Sequence, residues 1–164
     1  MKLNKFCFIV VTLLLLSCVK YSFRGALPSY LETIYIEDFE DRTNYPGVRE
    51  EFMDKVTEAF ISDNSLKVIE DKKSSDLILK GSIVSIRRRP VSITSQEQVQ
   101  EFQMVMTVQA ECQNTHNQKP LWSGNLSRYG VISGNALGDE IDQANSEAID
   151  QIVEDIITKT IAAW

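Results

Sequence analysis

The chain has 164 residues, of which 43% are hydrophobic, and its 23 acidic side chains outnumber 17 Lys and Arg to give a net charge of −6. A chain of this length forms one domain that buries roughly 70% of its unfolded surface, so a core needs neither disulfides nor a metal ion. The acidic balance excludes a general nucleic-acid-binding protein, because such proteins gain affinity mainly from basic side chains that neutralise phosphates.

The first 17 residues are predicted to form a cleaved lipoprotein signal peptide. Lys2 and Lys5 precede an apolar run over residues 6–16, which is typical of a secretory signal and shorter than the about 20 residues that span a bilayer. Cys18 then follows a small residue, with Leu15 three positions upstream, in the lipobox pattern. The alternative is an ordinary cysteine in a signal that is cleaved later, but no A-x-A-like cleavage site follows.

We expect Cys18 to become the first residue of the mature chain and to carry acyl chains on its thioether glycerol and amino group. Two or more chains anchor a protein stably, whereas one alone binds only marginally. Val19 stands where an aspartate would retain the protein at the inner membrane, so we expect the outer membrane of a Gram-negative host. The expected units are a signal peptide at 1–17, a lipidated lead segment at 18–29 and a single α+β domain at 30–164.

The first half of the domain alternates between strand and helix patterns. Apolar residues at every fourth position predict an amphipathic helix that ends at Asp63-Asn64; they are Val48, Phe52, Val56 and Phe60. Runs rich in β-branched and aromatic residues predict strands; they cover residues 30–39, 66–70 and 77–86. Residues 91–98 are polar and are interpreted as a connection.

The second half predicts a hairpin and a closing helix. Residues 99–113 show the clearest alternation between apolar and polar positions in the chain, and residues 120–131 supply a return strand. This pattern is expected when one face of a sheet is core and the other is mostly wet. The period becomes helical again over residues 139–163. The predicted order is β-α-β-β-β-β-α, an α+β fold with two helices packed on one face of a mixed four- to five-stranded sheet.

The sequence offers no catalytic constellation. His116 is the only histidine and falls in the predicted hairpin turn, and Cys112 is left without an intrachain partner once Cys7 and Cys18 are accounted for. One histidine and one free cysteine cannot supply a common zinc site, and no G-x-S-x-G, P-loop or G-x-G-x-x-G motif occurs. We therefore expect no enzymatic activity, no metal and no cofactor.

Three consecutive arginines, Arg87, Arg88 and Arg89, stand out in an acidic chain. They close the strand over 77–86, beside Pro90, and alternation places Arg87 and Arg89 on one face with Arg88 on the other. Their guanidinium groups either pair with the protein's own acids and water or bind phosphates through charge-assisted bonds. Possible basic neighbours across the sheet are Lys80, Lys119 and Arg128.

Several motifs together resemble one family. Residues 21–28, Tyr-Ser-Phe-Arg-Gly-Ala-Leu-Pro, are similar to the Cys-Gly-Tyr-x-Phe opening of the lipopolysaccharide-assembly lipoprotein family, LptE, and residues 36–43 are similar to its strand followed by Phe-x-Asn-Arg-Thr. The Asp-Leu-Ile-Leu-Lys-Gly-Ser-Ile strand at 76–83 and Leu-Trp-Ser-Gly at 121–124 follow in the family's order. The chain departs from the family where Val19-Lys20 replaces a glycine and Asp41 replaces an asparagine.

The resemblance implies a fold of two helices against a four-stranded sheet and a role beside or inside the outer-membrane barrel LptD. Such a lipoprotein partners and plugs the barrel, binds lipopolysaccharide and is held at the membrane by its lipid anchor. Charge and position make Arg87, Arg88, Arg89 and Lys119 the candidate lipopolysaccharide-binding residues. The alternative function is an envelope lipoprotein that docks on a peptidoglycan synthase or secretion channel and activates it.

Overall fold

The structure is a computed structural model that describes residues 27–93 and 99–162. The predicted signal peptide and most of the predicted lead segment, with Cys18, lie outside the described residues. Neither described helix combines the length and hydropathy needed to cross a membrane.

Two helices and six strands make up the described ranges. The strands are β1 (Thr33–Ile36), β2 (Glu40–Asp41), β3 (Lys67–Val68), β4 (Leu77–Ile93), β5 (Val99–Asn114) and β6 (Lys119–Ser133). The helices are α1 (Val48–Asp63) and α2 (Gly138–Ile161), and a 3₁₀ turn spans Lys72–Ser74. The four-residue spacing of apolar side chains in α1 gives four buried positions on one stripe, as the sequence predicts.

The six strands form one mixed sheet in the order β3-β1-β4-β5-β6, with β2 also pairing with β4. The pairs of β1, β2 and β3 are parallel, and β4, β5 and β6 form an antiparallel meander. The α+β prediction is confirmed, but the strand count is one above the predicted maximum of five. The additional strand is β2, whose two residues are too few to show a period of their own.

Both helices cover the same face of the sheet. Inward side chains of β4 and β5, such as Leu79 and Val108, share a buried cluster with Phe52 of α1 and Ile152 of α2. Gly81 is required in this layer, because a Cβ there would lie 2.2 Å from the carbonyl oxygen of Gln109. The other face of the sheet has no helix over it among the described residues and is referred to below as the free face.

A β-bulge divides β4 into two halves with opposite phase. Ile83 pairs with Val108 and Ser85 pairs with Thr107, so Val84 is an extra residue in the ladder. Before the bulge, odd-numbered residues point toward the helices; after it, even-numbered residues do. The second half of β4 therefore presents its odd-numbered side chains to the free face.

Strand β4 continues seven residues past its predicted end at residue 86. Pairing between β4 and β5 continues as far as Ile93 of β4, which lies opposite Val99 of β5. The backbone groups of β4 are therefore hydrogen-bonded on that side. Strand β2 pairs with β4 only as far as Ile83, which leaves Pro90 in an edge-like position where its missing N–H removes no ladder bond. The polar composition of residues 91–98 concealed this extension.

Asp76 joins three parts of the fold at the other end of the sheet. Its Oδ2 accepts hydrogen bonds from the backbone N–H of Glu32 and Thr33 at 3.0 and 2.9 Å and from Thr33 Oγ1 at 2.7 Å. Its Oδ1 lies 2.8 Å from Nε2 of His116 in the β5–β6 turn. Burial opposes ionisation of this carboxyl, but these hydrogen bonds outweigh it and lower the pKa of Asp76 to about 2.

Replacing Asp76 by asparagine is expected to destabilise the protein in a pH-dependent way. A carboxyl with a lowered folded-state pKa stabilises the fold above its unfolded pKa near 4, and the contribution is lost as the pH falls through about 2. Asp76→Asn should therefore cost about 2 kcal/mol of unfolding free energy at pH 7, with the deficit shrinking below pH 4. Urea unfolding at pH 7 and pH 3 measures this, with the exposed Asp54→Asn as control; equal pH dependence in both variants would contradict the assignment.

Candidate functional site

The three arginines lie inside a strand rather than at its end. Because β4 runs to Ile93, Arg87, Arg88 and Arg89 are internal ladder residues paired with Val105, Met104 and Gln103 in that order. The predicted alternation holds, with Arg87 and Arg89 on the free face and Arg88 on the helix side. The sequence prediction of a cluster at a strand terminus is wrong, because pairing with β5 carries β4 on through the polar residues that follow the arginines.

Arg88 is engaged in internal contacts. Its guanidinium carbon lies 3.7 Å from the ring centroid of Phe102, within the range of a cation–π interaction. Its Nη2 also donates a hydrogen bond to the carbonyl oxygen of Gly134, 3.0 Å away in the loop before α2. Arg88 therefore holds that loop against the β4–β5 hairpin.

Arg87 and Arg89 differ in their hydrogen bonds to the rest of the protein. Arg89 Nη2 donates a hydrogen bond to Oε1 of Gln103, whose side chain is buried. Arg87 is exposed and forms no hydrogen bond or ion pair with the side chains that the structure describes. Both guanidinium groups retain donors that face solvent on the same side of the sheet.

Apolar side chains adjoin these two arginines. Val105 pairs with Arg87 on one side and with Tyr129 on the other, and Val131 lies across from Gln103. Tyr129 and Val131 are 44% and 52% exposed. We call this basic and apolar area, Arg87, Arg89, Val105, Tyr129 and Val131, the arm surface.

A shallow groove of about 350 Å³ crosses the arm surface next to Arg87 and Val105. The apolar half of the arm surface was not predicted from the sequence. The alternation of β6 already places Tyr129 and Val131 on the same face of their strand. Only the β5–β6 register shows that they adjoin the arginines.

Lys119 is not part of the arm surface. It opens β6 and pairs with Asn114, which pairs with Leu77 at the start of β4. At about 3.3 Å per residue, the roughly ten residues of β4 between this level and Arg87 separate the two by about 30 Å. The structure therefore joins Arg87 and Arg89 but leaves Lys119 at the opposite end of the sheet.

The two other basic residues considered above are in ion pairs. Lys80 Nζ lies 3.2 Å from Oε1 of Glu111 on the free face, and Arg128 Nη2 lies 2.7 Å from Oδ2 of Asp155 on α2. Four of the six basic residues proposed from the sequence, Arg88, Arg89, Lys80 and Arg128, thus have internal partners. Arg87 and Arg89 remain the candidates because they lie side by side on the free face with donors open to solvent.

The remaining chemically notable side chains have structural contacts. His116 bonds to Asp76, and its ring meets the Tyr30 ring edge-on at a centroid distance of 5.4 Å. Cys112 is buried in the core, and burial raises the pKa of its thiol to about 12. Within residues 27–93 and 99–162, no group of three His, Cys, Asp or Glu side chains is arranged to hold a metal ion.

Two helices on one face of a mixed sheet that ends in a long antiparallel meander define a fold shared with bacterial lipoproteins. Rare lipoprotein B from Shewanella oneidensis is 14% identical with a TM-score of 0.53, covering 77% of this chain and 92% of that one. Lipoprotein B from Nitrosomonas europaea is 23% identical with a TM-score of 0.50, covering 83% and 84%. PelC from Paraburkholderia phytofirmans, a dodecamer, is 12% identical with a TM-score of 0.53, covering 79% and 91%.

At these identities the solved structures establish the fold alone, and no curated protein matches the sequence. The sequence itself matches the model of the LptE family, described as lipopolysaccharide-assembly, over residues 31–160. The chain therefore belongs to the LptE family of lipopolysaccharide-assembly lipoproteins, as its motifs indicated.

The Cys112 thiol is expected to be inert in the folded protein. Burial and a raised pKa keep it protonated and out of reach of alkylating reagents at pH 8. Iodoacetamide labelling read at the Cys112 peptide by mass spectrometry should be negligible in the native chain and complete in denaturant. An introduced cysteine at the exposed Ser123 is the control and should label natively; native labelling of Cys112 at a similar rate would contradict its burial.

Proposed function

We propose that this protein is an outer-membrane lipoprotein, anchored through Cys18, that partners and plugs the LptD barrel and contacts lipopolysaccharide at the arm surface. Membership of the family supports the assembly role. The observation that carries the binding assignment is the placement of Arg87 and Arg89 on one solvent-facing side of the sheet beside Val105, Tyr129 and Val131.

The arm surface matches the chemistry of an amphiphile with phosphate groups. A guanidinium group presents paired N–H donors that fit phosphate oxygens, and such charge-assisted bonds are about twice as strong as neutral ones. The exposed valine and tyrosine side chains provide apolar area within the same patch. Lipopolysaccharide carries phosphates next to acyl chains, so one molecule can use both halves of this surface.

Arg88 and Lys119 take secondary roles in this proposal. Arg88 supports the surface from behind through Phe102 and the Gly134 carbonyl, so its substitution affects the shape of the arm rather than a direct phosphate contact. Lys119 lies about 30 Å away along the strands and contributes to another region of the molecule.

The middle of the free face is polar, which suits a plug. Lys80 and Glu111 form an ion pair there, and Gln109 and Asn125 are exposed in the same layer. The lumen of an outer-membrane barrel is polar, so a polar sheet face can lie inside it without an apolar interface. The proposed role is binding and assembly rather than catalysis, with no cofactor.

Reversing the charge of both free-face arginines is expected to weaken lipopolysaccharide binding. Each charge-assisted bond contributes roughly 1.5–3 kcal/mol, so Arg87→Glu/Arg89→Glu should lower affinity by about 100-fold or more. Binding of the purified chain to immobilised lipopolysaccharide measures this, with circular dichroism to verify folding. Lys119→Glu makes the same type of charge change at the far end and should have little effect; an equal loss in both variants, or no loss in the double variant, would contradict the site.

The barrel partnership predicts a specific complex. Affinity capture of the tagged full-length chain from detergent-solubilised outer membranes should recover a large barrel protein in near-equal amount, identified by mass spectrometry. A mock capture from cells with untagged protein controls for carry-over. Recovery of a cell-wall synthase or secretion channel instead of the barrel would replace this proposal with the activator alternative.

A further inference from the structure

A groove of about 620 Å³ runs between the second half of α1 and the second half of α2. Its apolar floor consists of Ala59, Val153 and Ile157, of which Val153 is buried and the other two are half-buried. The groove is separate from the free face, because the helices lie on the opposite side of the sheet.

The rim of the groove is negatively charged. At one end Lys55 bridges the helices, with its Nζ 2.8 Å from Ser146 Oγ and paired with Asp150. Farther along, Glu58 and Glu154 line opposite sides and have no cationic partner within the described ranges. An occupant with apolar side chains and flanking positive charge complements this surface.

The lead segment has that composition. Residues 19–26 read Val-Lys-Tyr-Ser-Phe-Arg-Gly-Ala, with two cations, two aromatic residues and no acid. In an extended chain Tyr21 and Phe23 project to one side while Lys20 and Arg24 project to the other. Aromatic side chains on the groove floor would thus leave the cations free to reach the rim.

The groove opens toward the end of the domain where the lead segment arrives. Helix α1 leads into β3, which pairs in parallel with the start of β1, and Thr160 near the end of α2 accepts a hydrogen bond from Trp122 near the start of β6. The two helix C-termini and the start of β1 therefore share one end of the sheet. Leu27, where the described chain begins, already packs against the core cluster.

The length of the segment is sufficient. Eight extended residues reach about 27 Å, whereas the groove measures only about 12 Å along α1 between Lys55 and Asp63 at 1.5 Å per residue. About four extended residues fill it, and the others connect to Leu27 and to Cys18.

We propose that residues 19–26 dock in this groove of the same chain, with Tyr21 and Phe23 on the Ala59, Val153 and Ile157 floor and the cations of Lys20 and Arg24 facing Glu58 and Glu154. Docking shortens the tether and fixes the orientation of the domain relative to its anchor. The arm surface then lies at the end of the sheet remote from Cys18. This inference does not depend on lipopolysaccharide binding, so either proposal can fail without the other.

Disulfide trapping in the full-length chain tests the docking. Phe23→Cys combined with Ala59→Cys should form an intramolecular disulfide, because docking brings the two Cβ atoms near the roughly 4 Å that a disulfide requires. Phe23→Cys with Asp54→Cys, on an exposed position of α1 outside the groove, is the control. Peptide mapping under non-reducing conditions should show at least a tenfold excess of the groove pair; equal yields, or a disulfide that joins two chains, would overturn docking within one chain.

Charge reversal provides a second measurement. Arg24→Glu should reduce trapping of the Phe23→Cys/Ala59→Cys pair several-fold, and adding Glu154→Lys should restore it, since a true contact shows non-additive coupling. Adding Asp142→Lys, at an exposed position near the start of α2, is the control and should not restore it. Rescue by both lysines, or by neither, would show that the rim charges do not hold the segment.

Discussion

The bulge at Val84 is the constraint on which the functional face of this protein depends. Leu77, Leu79 and Ile83 point toward the helices at odd-numbered positions, and an unbroken strand would turn Arg87 and Arg89 toward the same buried side. One extra residue in the ladder reverses the phase. The two guanidinium groups consequently face solvent, while Ile86 and Arg88 lie on the helix side, where Arg88 stacks on Phe102.

The two ends of the sheet differ in the features they carry. At one end Asp76 joins β1, β4 and the β5–β6 turn, close to where the chain enters from the lead segment. At the other end β4, β5 and β6 extend beyond the short parallel strands and carry the arm surface. Rigid pairing along the antiparallel meander connects these ends, so an anchor at the first end determines where the second end is presented.

Membership of the LptE family relates these features to lipopolysaccharide assembly. A lipoprotein that acts inside or beside a barrel needs a polar outer face, a defined entry of its tether and a patch that accepts an amphiphile. The structure supplies candidates for each on different surfaces: the free face, the groove between the helices and the arm surface. If the proposals above hold, this separation means that substitutions at one surface leave the other two intact.

The sequence by itself determined the helices, the antiparallel hairpin and the family, because helical and strand periods are local and the motifs are contiguous. It also determined that Arg87 and Arg89 share a face, since alternation follows from strand geometry. Only the tertiary structure decided which face that is, that Tyr129 and Val131 adjoin the arginines and that Lys119 does not. Those facts depend on the bulge and on the register between neighbouring strands, and neither leaves a periodic signal in the residues themselves.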